Sequence, residues 1–549
     1  MSAVSAATEA WHAERGLVVS SERPPLPGDG PQTIAGLLEP WLAATPEAPA
    51  LVGRHGRYSF RELEAAVTDA ARALHALGLR APDRVAACLP NDVDIVIAFL
   101  ASQRLGLVWV GVNSPLAPAE KAYLLNDSGA KVYLVASKLA EEVEGRDDVP
   151  GLERILRVDP VAPDCEWRRA IDDARGIEVP EVEIDPFAAS AIAYTSGTTG
   201  FPKGAVHSQH NLLLPGAVAS LLKNRPHPDF HGVVLPLTIL NLIVLGPLCV
   251  LYDGRCLVAM DRIDALGVAE WVREEKVGAF DGVPTIIHDL LTHPEVTRED
   301  LVTLKAPGMG GADTPPSLVE LYRKRFGTNV RIGYGMTEAP TAVTWSDGAG
   351  ELPPGLCGQP IPQVEIEIVD EAGKLLGPGE VGEICVRGPV VTAEYAEDAA
   401  ATAGAKIPCD DGTVWHRIGD VGRFDSGGRL WFMGRKSHRI ETPRGVRMPV
   451  PLENIFNQHP RAARTALVGV GPPGEEVPFC IVEALPGEHP KSDVMTQGFI
   501  MQLRKIGRKV ARSADIEHFL FHPGFPVDPR HNAKIHREEL KAWAERQVR

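Results

Sequence analysis

The chain has 549 residues, with 56 Lys+Arg against 72 Asp+Glu, a formal net charge of −16. That length points to two to four structural units rather than one core, and 44% hydrophobic with 23% charged residues excludes wholesale disorder. So acidic a chain lacks the global positive field that phosphate-backbone binding needs, which argues against a nucleic-acid partner. Residues 1–30 read as a loosely held leader. It ends in a proline-rich turn from Pro24 to Pro31 and has no apolar secretory core after a basic start. Ser59 with Glu62 three residues on is a capping box, and Leu63, Val67, Ala71 and Leu74 follow at helical spacing. Residues 84–89 read as a buried strand, 94–107 as helix, and 108–112 and 131–135 as further strands. This alternation predicts an α/β layered architecture with a mostly parallel sheet.

The apolar run 233–252 is long enough to raise a membrane span. Pro236, Asn241, Gly246 and Pro247 interrupt it, so a strand–turn–helix–strand passage through a buried core is expected instead. The reading is of a soluble, cytoplasmic protein with no membrane span. Period-two strands are expected at 364–369, 382–387 and 428–432, with a hairpin turn at 425–428. A charged linker at 435–439 then separates a second α/β pattern. The eight cysteines are scattered with no Cys-x-x-Cys pair, so neither a zinc ribbon nor a disulfide framework is expected. The domain plan is thus a leader (1–30), a large N-terminal domain (31–434) with a β-rich subdomain, and a small, mobile α/β C-terminal domain (435–549).

The most informative run is Thr195-Ser196-Gly197-Thr198-Thr199-Gly200-Phe201-Pro202-Lys203-Gly204, behind a small apolar strand at 188–193. Glycines free backbone N–H groups to turn toward an anion, hydroxyls add donors, and Lys203 supplies a compact charge. It is not a Walker A loop, because no Gly-Lys-[Ser/Thr] stands at the required spacing. The bland alternative is an ordinary polar loop.

This run resembles the phosphate-binding loop of the adenylate-forming superfamily: acyl-CoA synthetases, peptide-synthetase adenylation domains and luciferases. The resemblance covers nearly the whole chain after the leader. It implies ATP and Mg²⁺ as cofactors and a small-molecule carboxylic acid as substrate. By the same resemblance, Gly310-Gly311-Ala312 lines the adenine and Tyr334 of Tyr334-Gly335-Met336-Thr337-Glu338 stacks on it. Thr337 contacts phosphate, Glu338 is the magnesium-linked carboxylate, Asp420 binds the ribose with Arg435 beside it, and Lys534 is the adenylation lysine. A lysine and a cation at that place act by electrostatic stabilisation of charge building on phosphate oxygens. Each residue has a duller reading: Asp420 capping a turn before a strand, Glu338 paired to a neighbouring charge, Lys534 solvated before a charged helix.

The C-terminal third is more specific. The runs 386–392 (VRGPVVT), 415–422 (WHRIGDVG), 429–439 (RLWFMGRKSHR), 455–457 (IFN), 466–471 (ALVGVG) and 521–528 (FHPGFPVD) resemble β-lactone synthetases of bacterial olefin biosynthesis. That group implies a β-hydroxy acid activated with ATP, whose own hydroxyl closes on the acyl-adenylate to release AMP and a lactone. Pathway enzymes are then natural partners. CoA ligases usually carry Asp or Lys, then another acid, where Ser437 and His438 stand. An internal nucleophile needs no hinge-delivered thiol, because proximity already favours ring closure. His438 is a base near neutral pH or, more simply, an exposed polar linker residue. His207 and His210 read as structural or pocket-rim residues. Family analogy puts the acyl pocket around Thr238, Ile239, Phe280 and Val283, where a hydrophobic stripe is equally core. Alternatives are an acyl-CoA ligase, a stand-alone enzyme loading a carrier protein, or a nucleotide-binding sensor.

Overall fold

The computed structural model describes residues 24–195, 201–222, 229–305, 307–312, 314–346, 351–409, 414–527 and 534–548. Most of the expected leader, and Ser196, Gly197, Thr198, Thr199 and Gly200 of the phosphate loop, therefore lie outside the described residues. Strands β1 (Pro49–Gly53) and β2 (Gly56–Ser59) form a hairpin, and helix α1 (Phe60–Ala76) follows at once. Ser59 and Glu62 close the expected capping box, worth about 1 kcal/mol against alanine. The apolar stripe Leu63, Val67, Ala71 and Leu74 is fully buried.

A six-stranded sheet comes next, built from β3 (Arg84–Cys88), β4 (Val108–Gly111), β5 (Ala130–Ala136), β6 (Arg154–Val158), β7 (Ala189–Tyr194) and β8 (Gly204–Ser208). Its order is β6-β5-β3-β4-β7-β8, parallel except for the β7–β8 hairpin. Alternate residues of β3 enter two different cores, Val85 and Ala87 on one face and Ala86 and Cys88 on the other. A strand covered on both faces reads as a continuous apolar run. Helix α2 (Val93–Arg104) covers it and is buried along nearly its whole length.

The larger sheet holds fourteen strands. After β1 and β2 its members are β9 (Phe230–Val233), β10 (Cys256–Ala259), β11 (Ala279–Gly282), β12 (Gly308–Gly310), β13 (Ile332–Met336), β14 (Ala339–Trp345), β15 (Leu356–Pro360), β16 (Glu365–Val369), β17 (Gly382–Arg387), β18 (Lys406–Pro408), β19 (Val414–Phe424) and β20 (Leu430–Arg435). From β1 through β13 the neighbours run parallel. From β13 onward every pairing is antiparallel, and β18 joins at the side of β19.

The run 233–252 follows the expected strand–turn–helix–strand order, with its two strands lying mostly outside the run. After β9 it is helical from Leu240 to Tyr252, and the next strand, β10, starts only at Cys256. The middle turn, Val244–Leu248, is a π-helix containing Pro247. Proline has no N–H to give, and a widened turn accommodates that loss without ending the helix. Among the described residues no helix is long and apolar enough to cross a membrane.

After β20 come a 3₁₀ turn (Lys436–His438) and the short hairpin β21 (Ile440–Thr442) and β22 (Gly445–Arg447). The small C-terminal domain has a three-stranded sheet of β23 (Ala462–Val470), β24 (Val477–Ala484) and β25 (His518–His522). Helices α3 (Val450–Phe456) and α4 (Asp493–Gly507) pack Phe456, Phe499 and Leu503 on one face. Helix α5 (Arg537–Val548) packs Leu540 and Ala544 on the other. The fold is mixed α/β, with a large sheet-rich N-terminal domain and a smaller C-terminal one.

Candidate active site

In α/β sheets, ligands settle beyond the carboxyl ends of parallel strands where the topology changes. Here that place is the end of β12 and β13, where the parallel half of the large sheet meets the antiparallel half. A cleft of about 1240 Å³ opens there. Thr195, Lys203, Ile239, Gly311, Gly335, Met336, Thr337, Glu338, Asp420, Arg435 and Lys534 all line it. Residues spread over 340 positions of sequence thus face one cavity.

Local chemistry explains the shape. Gly311 follows β12 with φ +77°, a left-handed conformation that glycine adopts without strain. At Gly335 a Cβ would stand 2.2 Å from the Thr341 carbonyl oxygen, so only glycine lets the β13–β14 hairpin close this tightly. Gly310 and Ala312 flank Gly311 in the chain.

Tyr334 donates its hydroxyl to Asp420 Oδ2 at 2.5 Å. Asp420 sits within β19 rather than before a strand, and is 6% exposed. Its Oδ1 lies 2.9 Å from Arg435 Nε as an ion pair, yet that oxygen accepts no aligned hydrogen bond. A buried carboxylate oxygen with spare acceptor capacity suits a ribose hydroxyl. Burial works against the Arg435 charge, but the groups around it, Asp420 foremost with Tyr334, Glu338 and Tyr395, together hold the guanidinium above its ordinary pKa. The Tyr334 ring packs on Phe432 with centroids 5.9 Å apart.

Thr337 and Glu338 form the turn between β13 and β14. Buried His207 donates from Nε2 to the Thr337 carbonyl at 2.9 Å, and Thr392 N–H donates to the Glu338 carbonyl at 2.7 Å. Asn241 Nδ2 holds the Met336 carbonyl at 3.0 Å. Burial pushes His207 down to about 4, so it is a neutral donor fixing this turn. The Glu338 carboxylate takes the Tyr395 hydroxyl at 2.9 Å. Burial raises its pKa, and Tyr395 pulls the other way. Among the described residues no group of three or more His, Cys, Asp and Glu could hold a metal unaided. Magnesium takes many of its ligands from substrate phosphates and needs one or two carboxylates, so Glu338 fits it in the presence of a nucleotide.

The β7–β8 hairpin brings together Thr195 and Lys203, at the two ends of the run expected to bind phosphate. Thr195 N–H donates to the Lys203 carbonyl at 2.9 Å, and Lys203 Nζ stands 5.4 Å over the Tyr395 ring. Phe201 stacks on Tyr123 at 5.0 Å. Lys534 enters the cleft from the C-terminal domain, just before α5.

The residues expected to form the acyl pocket separate. Ile239 lines the cleft. Thr238 is buried, its hydroxyl 2.6 Å from Asn113 Oδ1. Phe280 and Val283, 1% and 2% exposed, sit in the core beside the parallel strands. His438 corrects the expectation of an exposed linker residue: its side chain is 7% exposed, with Nε2 3.1 Å from Glu538 on α5. His210 stacks on Phe187 as a structural residue. Tyr395, His416 and Lys406 carry no site role in the expectations above, since nothing in their spacing marks them; the pairing of β18 with β19 brings Lys406 to His416, and a bridge to Ala205 of β8 holds Tyr395 beside them.

The AMP-binding enzyme family matches residues 38–396. An olefin β-lactone synthetase of Xanthomonas campestris is 36% identical over 411 residues, covering 68% of this chain and 69% of its own. A long-chain-fatty-acid–CoA ligase of Escherichia coli is 28% identical over 496 residues, 83% of this chain and 86% of its own. Among solved structures, an anthranilate CoA ligase in complex with anthranoyl-AMP superposes with a TM-score of 0.83 at 21% identity, over 94% of this chain and 98% of its own.

Proposed function

Since the chain belongs to the AMP-binding enzyme family and is an ATP-dependent adenylate-forming ligase, we propose that it activates a β-hydroxy acid and closes it to a β-lactone. The observation that carries this reading is the 36% identity to an olefin β-lactone synthetase across two thirds of both chains. Ser437 and His438 at the hinge support it, because the Asp or Lys and the following acid usual in CoA ligases are missing there.

In the first step a carboxylate oxygen of the acid attacks the α-phosphorus of ATP, and pyrophosphate leaves. Lys534, from the C-terminal side, and Lys203, from the phosphate-loop side, bring positive charge to the phosphate oxygens. Glu338 would hold Mg²⁺, which supplies charge neutralisation to the phosphates when bound. Asp420 anchors the ribose and Tyr334 the adenine, which fixes the acid in reach of the α-phosphorus. In the second step the β-hydroxyl oxygen attacks the acyl carbon. The bond from that carbon to the AMP oxygen breaks, AMP departs, and the hydroxyl proton passes to solvent or to the departing phosphate. Water must be kept from the adenylate, because hydrolysis competes. The boundary expected at 434/435 falls inside β20, which runs to Arg435; a C-terminal domain that swings would turn at the 3₁₀ segment Lys436–His438 that follows.

The test is incubation with ATP, Mg²⁺ and a panel of β-hydroxy acids and their deoxy analogues, with and without CoA, following AMP and product mass. A product lighter than the hydroxy acid by one water, formed without CoA, is the expected result. CoA-dependent turnover of the deoxy acids overturns it in favour of an acyl-CoA ligase, the activity named for the relative that spans more of the chain.

A further inference from the structure

Behind Glu338, away from the cleft, lies a cluster of polar side chains that the chemistry above does not use. Lys406 on β18 and His416 on β19 are direct partners in the strand register. Neither lines the cleft, so neither reaches a nucleotide. We infer that these two are positioning residues that aim the Glu338 carboxylate, one through the backbone and one through Tyr395.

The backbone grip is a chain of two hydrogen bonds. Lys406 Nζ donates to the Thr392 carbonyl at 2.6 Å, and Thr392 N–H donates to the Glu338 carbonyl at 2.7 Å. The Thr392 hydroxyl, buried with the rest of that residue, donates to the Val206 carbonyl at 2.6 Å on β8. Thr392 is thus tied to the hairpin that carries the phosphate loop, and its position decides where the Glu338 turn sits. The side-chain grip runs from His416, which is 1% exposed. Its Nε2 lies 3.3 Å from Tyr395 Oη, and that hydroxyl donates to Glu338 Oε1. A phenol with one proton given to the carboxylate receives the imidazole N–H on its oxygen, which fixes the tautomer of His416. The remaining nitrogen, Nδ1, is buried without a partner, as expected of a ring kept neutral.

A lysine is a costly residue to bring to such a place. Burial pushes its amine down to about 7, against the upward pull of Glu338 and Glu394. An apolar side chain would pack there without that cost, but would leave the Thr392 carbonyl without its donor. Residues behind a metal-linked carboxylate orient it, and their loss weakens metal affinity without touching the metal.

This inference rests on Glu338 being the magnesium-linked carboxylate, and the experiment separates the two. Calorimetry measures ATP affinity with and without MgCl₂, and AMP affinity, for wild type, Lys406→Met, Lys406→Arg, His416→Phe and Glu338→Gln. Lys406→Met is expected to lose about tenfold of the Mg²⁺-dependent gain in ATP affinity, with AMP affinity within about twofold of wild type. Lys406→Arg, which keeps a donor for Thr392, restores most of the gain. His416→Phe tests the second grip in the same way and serves where Lys406→Met does not fold. An unchanged Mg²⁺ gain in Lys406→Met and His416→Phe, alongside its loss in Glu338→Gln, overturns the inference and leaves the role of Glu338 standing. An unchanged gain in Glu338→Gln overturns both. Equal loss of ATP and AMP affinity in Lys406→Met marks general damage and also overturns the inference.

Discussion

Replacing Asp420 with Asn changes one charge and almost no volume, and its consequences follow from three contacts. Oδ2 takes the Tyr334 hydroxyl at 2.5 Å, and Oδ1 faces Arg435 Nε at 2.9 Å. Both neighbours are donors, and an amide has only one oxygen for them, so the NH₂ group must face a donor or the Tyr334 hydroxyl must turn round. Arg435 is a third exposed and rehydrates in part, which keeps the cost to the fold to about 1–2 kcal/mol. The larger effect falls on the ligand. A ribose hydroxyl given to a carboxylate is a hydrogen bond to a charged group, worth about 1.5–3 kcal/mol, against about 0.5–1.5 for a neutral acceptor. The difference is about tenfold in affinity. Calorimetry with ATP and with 2′,3′-dideoxy-ATP on both proteins completes a double cycle. Wild type is expected to lose at least about tenfold on removal of the hydroxyls, and Asp420→Asn less than about threefold. Equal losses in both proteins would remove Asp420 from ribose binding and leave it as a partner for Tyr334 and Arg435 alone.

Lys534→Ala is expected to slow ATP–pyrophosphate exchange by about 10²–10³-fold, as the loss of one transition-state donor does, with ATP affinity within a few-fold; unchanged exchange removes Lys534 from the first step. His207 has a folded pKa depressed to about 4 from an ordinary 6.5. Below pH 6.5 the unfolded chain binds a proton that the folded one refuses, so stability falls as pH drops from 6.5 toward 4, by roughly 3 kcal/mol at this residue. Denaturant unfolding at pH 7 and pH 4.5 reads this loss, and His207→Gln, which keeps a donor for the Thr337 carbonyl, flattens it; an identical pH slope in the variant refutes the assignment.

How far the sequence reaches is seen in particular residues. The capping box at Ser59 and Glu62 and the hairpin turn at 425–428 come out where their patterns place them, since each rests on contacts within a few residues, and the strand 382–387 does so because its period-two alternation is written in its own residues. Within the helical stretch 240–252, the widened turn at Pro247 has no sequence signal, because a proline normally breaks a helix. Gly311, Tyr334, Glu338, Asp420, Arg435 and Lys534 were legible only as a series of motifs in order; composition and periodicity mark none of them. The buried setting of His438 rests on Glu538, 100 residues away, and the gathering of Lys406, His416 and Tyr395 rests on strand pairing. Long-range partners leave no local trace. The acyl-binding wall stays the least legible part, because Phe280 and Val283 obey the same burial rule as any core residue.

The seam in the large sheet also bears on how the protein is made. The antiparallel pairs β13–β14 and β19–β20 join chain neighbours across short turns, whereas β9 to β13 run parallel and need a crossover for each pairing. Short-range pairings close fast and long-range ones slowly. Tyr334 sits on the strand where the two kinds of pairing meet, and Asp420 in the β19–β20 hairpin, so their hydrogen bond ties together regions of the chain that pair by different routes. A nucleotide that spans both binds only that joined state, and its presence during refolding draws the equilibrium toward completion.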